Sequence, residues 1–302
     1  IALIRQNRYD VIHGIEEAGF IAVLLAKLFG LQAIFEKHSD PFSYRKGIIK
    51  NLILSVYAAA ETIMVKNADL IICTGTGLSR QVQDMGTEQS VHTIFDMPSS
   101  MVNAKPAITA KIGAELRQQA DEILVTYVGS FAVYQGVDLM FASIPVVNAS
   151  SERVRFVVIG GSPEEIEQRR ADMAQQGLEN KVSFLGNIAP DELPEYLAAA
   201  DILIAPRKSG ANSPLKILDY YKAGQAIVAT DVPSNHILLN ETTALFAQPH
   251  PDSFAEQILK LAEDPELRKR LGANGRLLYE KKYNFSAFQQ RLENAYAELD
   301  EK

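Results

Sequence analysis

At 302 residues, 47% hydrophobic and 22% charged, the sequence has the composition of a globular chain long enough for two domains of ordinary size. Its formal charge of −7 argues against a nucleic-acid binder. Residues 1–105 carry ten basic and ten acidic side chains, so the acidic excess lies beyond them and no basic stripe remains. A single cysteine, Cys73, excludes an intrachain disulfide and any multi-cysteine metal site; it ends the apolar run Leu70-Ile71-Ile72-Cys73 and reads as core. The best apolar stretch, residues 19–35, is interrupted by Lys27 and is too short for a membrane span. No signal peptide opens the sequence, which points to a reducing cytoplasm.

In chain order, strands are expected at residues 9–13, 31–36, 69–73 and 91–95, alternating with helices at about 17–29, 46–66 and 76–85. Strands alternating with helices make a doubly wound parallel sheet, so the fold class is α/β. Residues 98–110 then turn polar and small, with Pro98, Ser99, Ser100, Asn103 and Pro106, and are read as an interdomain connection. The pattern restarts with strands at 123–128, 154–159, 182–185, 201–205, 226–229 and 244–246. Helices lie between them, for example at 163–176 and 190–199. This second series makes a complete Rossmann-like domain. Residues 251–301 read as helix throughout.

The chemistry concentrates in residues 201–231, a strand, a loop and a helix expected over about 214–222. Gly210, Ala211, Asn212 and Ser213 are small enough for backbone to approach a ligand. Ser213 reads as an N-cap with Pro214 at the first helical position and Leu215 next. Free N–H groups and the helix dipole favour an anion there. Asp219, farther along that helix, is suited to accept hydrogen bonds from sugar hydroxyls. Other turns end neighbouring strands: Gly129-Ser130 with Gln135 just beyond, Gly160-Gly161, and Asn187-Ile188. His38 follows a strand, at the sheet edge where open α/β sheets bind ligands, with Glu36 and Asp40 as weaker candidates. The alternative for His38 is a loop histidine paired with Glu36 or Asp40. Arg45, Lys46 and Lys50, interleaved with Ile48, Ile49, Leu52 and Ile53, read either as a basic amphipathic segment for anionic lipid or as a solvated helix face.

Pro206, Asp219, Gly224 and the strand Ala226-Ile227-Val228 together resemble the donor-binding segment of retaining glycosyltransferases of family 4, which have the GT-B fold. The resemblance implies two Rossmann-like doubly wound domains facing a cleft, residues 1–105 and 106–284, with 285–302 as a helix crossing back to the first domain. It implies a hexosyltransferase-type enzyme moving a sugar from a nucleotide diphosphate-sugar to a glycan or lipid-linked acceptor, in polysaccharide biosynthesis. No cofactor and no metal would be needed, and peripheral contact with the inner face of the membrane is allowed by it but not required. His38 matches a histidine near the donor sugar, Gly160-Gly161 a turn facing the nucleotide, and Asn187-Ile188 the segment that receives the base.

The sequence departs from the family pattern at informative places. Ala211 stands where the first acidic residue belongs, and Asp219 replaces the second glutamate. Ser130 and Gln135 replace the arginine and lysine that hold the leaving diphosphate. Arg207 and Lys216 flank the donor loop; they either supply the missing charge or point into solvent. The family's opening strand and Gly-Gly loop find no counterpart before residue 9, so the first domain is expected to be incomplete and the chain as given inactive. Two rivals stay open: a catalytically inactive sugar-nucleotide-binding or partner subunit, and a GT-B epimerase or phosphorylase on the same fold.

Overall fold

The computed structural model describes residues 1–40, 48–210 and 213–300. It divides into two compact units, each considered by itself. Residues 1–96 form the first, together with Ser213 and residues 286–300; residues 97–210 and 214–285 form the second.

The elements of residues 1–96 are α1 (Ala2–Gln6), β1 (Val11–Ile15), α2 (Glu17–Phe29), β2 (Gln32–Lys37), α3 (Ile48–Asn67), β3 (Leu70–Cys73), α4 (Thr76–Asp84) and β4 (Val91–Thr93). The strands pair in parallel in the order β1-β2-β3-β4. β3 is buried along its whole length, as a strand covered on both faces must be, which is why it reads as an unbroken apolar run. On one face Phe35, Ile71 and Cys73 pack with Val23, Ala26 and Val65. Alternate residues Ile34, Leu70 and Ile72 face the other way, onto Ala295 and Leu299 of the chain's last helix.

The second series comprises α5 (Pro106–Leu116), β5 (Ile123–Val128), α6 (Val137–Ser150), β6 (Val154–Ile159), α7 (Pro163–Gln175), β7 (Val182–Gly186), α8 (Leu193–Ala199), β8 (Ile202–Ala205), α9 (Lys216–Ala223), β9 (Ala226–Thr230), β10 (Ala244–Ala247), α10 (Pro251–Glu263) and α11 (Pro265–Leu278). The last helix, α12 (Phe285–Asp300), follows a π-helical turn at Tyr279–Tyr283. The sheet order is β10-β9-β8-β5-β6-β7, all parallel. Its winding direction reverses between β5 and β8, the switch point at which open α/β sheets take ligands in a crevice beyond the strand ends.

Several expectations need correction. Residues 106–116 form helix α5, started by Pro106 in its first turn, and residues 97–105 belong with the second unit rather than forming a free connection. The tail is not one helix. Asp264 breaks it and caps α11 by accepting from the Leu267 N–H, and the backbone extends again at Asn284. Ser213 does not cap α9. Pro214 and Leu215 accept from Ile217 and Leu218 in a tighter i→i+3 turn, so the α-helix starts only at Lys216 and has no side-chain cap.

Candidate active site

The second unit's crevice is built around α9. The Tyr220 hydroxyl donates to the Ile204 carbonyl on β8 at 3.0 Å and accepts from the Val128 N–H on β5 at 3.3 Å, which pins the helix over the seam between the two strands. Beyond their ends the loops interlock. Gly136 has φ 71°, and a Cβ there would come within 1.8 Å of the Pro206 carbonyl oxygen, so only glycine permits the approach. Lys208 N–H donates to the Tyr134 carbonyl at 2.9 Å across the same junction.

Lys216 reaches into this crevice. Its ammonium donates to the Gln135 Oε1 at 3.0 Å, lies 4.4 Å from the centre of the Tyr127 ring, and closes against Gly129, where a Cβ would meet it at 2.8 Å. Burial pushes the amine down to about 7, with the Arg207 charge adding to the effect. Arg207 is 8% exposed; its guanidinium lies 5.4 Å from the Tyr134 ring and its Nε donates to the Ser209 carbonyl. The alternative in which both cations point into solvent is therefore overturned. The Ser130 carbonyl accepts from the Tyr127 hydroxyl at 2.8 Å, and the residue is exposed.

The remaining turns stand on the same sheet edge. Gly160 N–H donates to the Gly186 carbonyl at 2.7 Å, and Gly161 lies under the Phe131 ring. Asn187 is exposed and Ile188 half-buried, just past β7. Gly210 packs on the Arg207 guanidinium. Pro214 is buried and Leu215 is 51% exposed. Ser213 groups with the first unit instead. Ala211 and Asn212 lie outside the described residues, as do Arg45 and Lys46 and the side chain of Lys50.

Asp219, one turn past Lys216, already has partners that the sequence did not reveal. Its Oδ1 accepts from the Ser99 N–H at 2.8 Å and the Ser99 hydroxyl at 3.0 Å. Burial raises its pKa, and the two bonds from Ser99 pull it back in part. Lys222, the next turn along, is 5% exposed and donates to the carbonyls of Ser100 and Val102. The Ser100 hydroxyl in turn donates to Asp191 at 2.8 Å. Residues 99–102 thus form a strap fastened along α9.

In the first unit, His38 follows β2 and is half-buried. Its Nε2 lies 2.7 Å from Glu36 Oε1, so the pairing with Glu36 is realised. The same carboxylate contacts His13 Nε2 at 2.7 Å through Oε2, and His13 Nδ1 meets the Tyr296 hydroxyl at 2.7 Å. Burial alone would raise Glu36, but the bonds and charges of His13 and His38 outweigh it and bring the carboxyl to about 2. His38 is raised, chiefly by its bond to Glu36, with burial opposing and Asp96 and Glu16 assisting. Glu16 also accepts from the His38 backbone N–H. Asp40 is buried. His13 gave no signal in sequence because it lies inside β1, between Ile12 and Gly14, and Tyr296 lies 283 residues away.

Among the described residues no group of three or more His, Cys, Asp or Glu is arranged to hold a metal ion, and no helix is long and apolar enough to cross a membrane.

Residues 1–95 match the family model described as Glycosyltransferase Family 4, and residues 122–264 match that described as Glycosyl transferases group 1. The alpha-D-kanosaminyltransferase of Streptomyces kanamyceticus is 23% identical over 93% of this chain and 74% of its own. The phosphatidylinositol N-acetylglucosaminyltransferase GPI3 subunit of Saccharomyces cerevisiae is 25% identical over 82% of this chain, which spans only 54% of that protein. Among solved structures, Anabaena HepE in complex with UDP superposes with a TM-score of 0.82 at 15% identity, covering 96% of this chain and 79% of its own. Sucrose-phosphate synthase from Thermosynechococcus elongatus gives 0.77 at 22% identity, covering 96% and 74%. The two parallel-sheet units are those of the GT-B fold.

Proposed function

Because the chain belongs to glycosyltransferase family 4, we propose that it transfers a sugar, with retention of configuration, from a nucleoside diphosphate-sugar to a glycan or lipid-linked hydroxyl. The observation that carries this reading is the Lys216 ammonium, held against Gln135 and Gly129 in the crevice where the sheet reverses direction. A buried cation without a carboxylate partner is costly unless an anion arrives to share the site, and none of the described residues forms an ion pair with Lys216. The diphosphate of a sugar donor is such an anion. It gains negative charge as the glycosidic bond breaks, so a preplaced cation favours the transition state over the ground state.

The division of labour follows. Lys216 and Arg207 stabilise the leaving diphosphate together with the backbone N–H groups of the Gly129-Ser130 turn, of Gly210 and of Leu215. Asp219 takes the ribose hydroxyls, and Gly160-Gly161 with Asn187-Ile188 flank the nucleoside. His38 is assigned to the transferred sugar. In this reading protein cations carry the charge, with no metal or cofactor assigned, and the acceptor hydroxyl attacks the face from which the donor phosphate departs. Relatives named for kanosaminyl and for phosphatidylinositol N-acetylglucosaminyl transfer support a sugar donor and an acceptor of glycan or lipid kind, and the neighbour crystallised with UDP supports the nucleotide. We place the work at the cytoplasmic face of a membrane.

The test is calorimetry and turnover with UDP- and GDP-sugars on the 302-residue chain. No binding at millimolar nucleotide sinks the donor reading. Transfer to a glycan or lipid-linked acceptor excludes the second reading, a non-catalytic donor-binding subunit, for which Ser130 and Gln135 in place of two cations speak.

A further inference from the structure

The donor reading leaves one arrangement unexplained, the strap of residues 99–102 on α9. Lys216, Asp219 and Lys222 follow one another at steps of three along this helix, each about 4.5 Å farther along its axis. The first faces the crevice, the last is spent on the strap's carbonyls, and Asp219 lies between them with one oxygen committed to Ser99. An aspartate is a methylene shorter than a glutamate, and an unrestrained carboxylate swings among rotamers. Ser99 removes that freedom with two hydrogen bonds to the same oxygen, at 2.8 and 3.0 Å. Oδ2 is left as the oxygen able to accept from a ligand diol.

We propose that Ser99 is a positioning residue for ribose recognition: by donating its N–H and hydroxyl to Asp219 Oδ1 it orients the carboxylate so that Oδ2 meets the ribose hydroxyls of the donor nucleotide. The inference rests on the donor reading above and adds to it a residue 120 positions away in sequence. The strap gives Ser99 its own rigidity. Ser100 is 5% exposed, its hydroxyl is held by Asp191, its carbonyl is taken by Lys222, and its Oγ also receives the Val102 N–H. The bonds from Ser99 further oppose the burial that raises the Asp219 pKa, and so keep it a better acceptor.

Calorimetry with UDP and GDP, each beside its 2′,3′-dideoxy counterpart, tests the idea on the full chain. The wild type should prefer the ribonucleotide at least tenfold. Ser99→Ala should weaken the ribonucleotide threefold or more while leaving the dideoxy form unchanged, and Ser99→Thr should restore the preference. In an Asp219→Asn background the preference should be gone and Ser99→Ala should have no further effect. Ser99→Ala should also make ribonucleotide affinity fall off at a higher pH on the acidic side than in wild type. If the wild type binds both sugars equally, or Ser99→Ala weakens both alike or neither, the positioning role is overturned while donor binding stands. If neither nucleotide binds the wild type, the donor reading falls and this inference with it.

Discussion

The Lys216 ammonium and the Gln135 side-chain oxygen lie 3.0 Å apart across 81 residues of sequence. The contact sets an amine beside the position where the family pattern carries a lysine, and under the proposed function the charge for the diphosphate comes from α9 instead of from the loop after β5. Lys216→Gln should therefore weaken binding of a nucleoside diphosphate at least tenfold, about 1.4 kcal/mol. Adding Gln135→Lys to that variant should recover a substantial part, because the ammonium returns to the same space from the other side. Calorimetry on the single and double variants measures both effects, and a Lys216→Gln variant as tight as wild type would discard the relocation.

The same lysine makes donor binding proton-linked. Burial, helped by Arg207, lowers its pKa from 10.5 to about 7 in the empty site. A diphosphate favours the charged form, so binding should raise the pKa and take up protons between about pH 7 and 10. Affinity should then decline as pH rises above 7, and the apparent enthalpy should depend on the buffer's ionisation enthalpy. Stability has the opposite sign: the unfolded chain binds more protons across this window, so the lysine's contribution becomes more favourable from about pH 7 to 10.5. Buffer-independent enthalpies at pH 8 would contradict the linkage.

Glu36 should control the charge on His38. Glu36→Gln should lower the His38 pKa, readable as a shift in its imidazole titration by NMR. A histidine raised in the folded state stabilises fully below its unfolded value near 6.5 and loses that contribution as pH passes upward through the folded value. The destabilisation caused by Glu36→Gln should accordingly be largest at pH 5–6 and shrink toward pH 8. An unchanged His38 titration would show that the short contact carries no charge coupling.

Lys37 on β2 and Glu61 on α3 form an ion pair in which each side chain is 1% exposed. Burial raises the Glu61 pKa, and the Lys37 bond opposes it. Lys37→Met alone strands a buried carboxylate and should cost roughly 3–5 kcal/mol in urea denaturation. Lys37→Met combined with Glu61→Leu should recover most of that loss, since an apolar pair of similar volume avoids desolvating two charges. Additive losses in the double variant would mean that the surrounding packing, and not the stranded charge, sets the cost.

How much was legible follows from the range of each interaction. β3, β8 and β9 stand as apolar runs in the sequence because burial on both faces leaves a local imprint, and the glycines after β5 and β6 mark turns by the same locality. Local signals also mislead. Ser213-Pro214 has the look of a helix start, yet the i→i+3 turn at Pro214 and Leu215 delays α9 to Lys216. Helix α5 was hidden by the polar, small residues that precede it.

The sequence by itself determined the alternation of strands and helices, the fold class, and the loops that end at one sheet edge, since periodicity and turn chemistry act over a few residues. Only the tertiary structure decided which distant side chains meet there. The sheet order puts β5 beside β8, and that adjacency brings Gln135 to Lys216. The seating of residues 97–105 on α9 brings Ser99 to Asp219 and buries Lys222 among carbonyls. No local pattern encodes such pairs, because each partner's own neighbourhood is satisfied without the other and only the packed chain places them within hydrogen-bond reach.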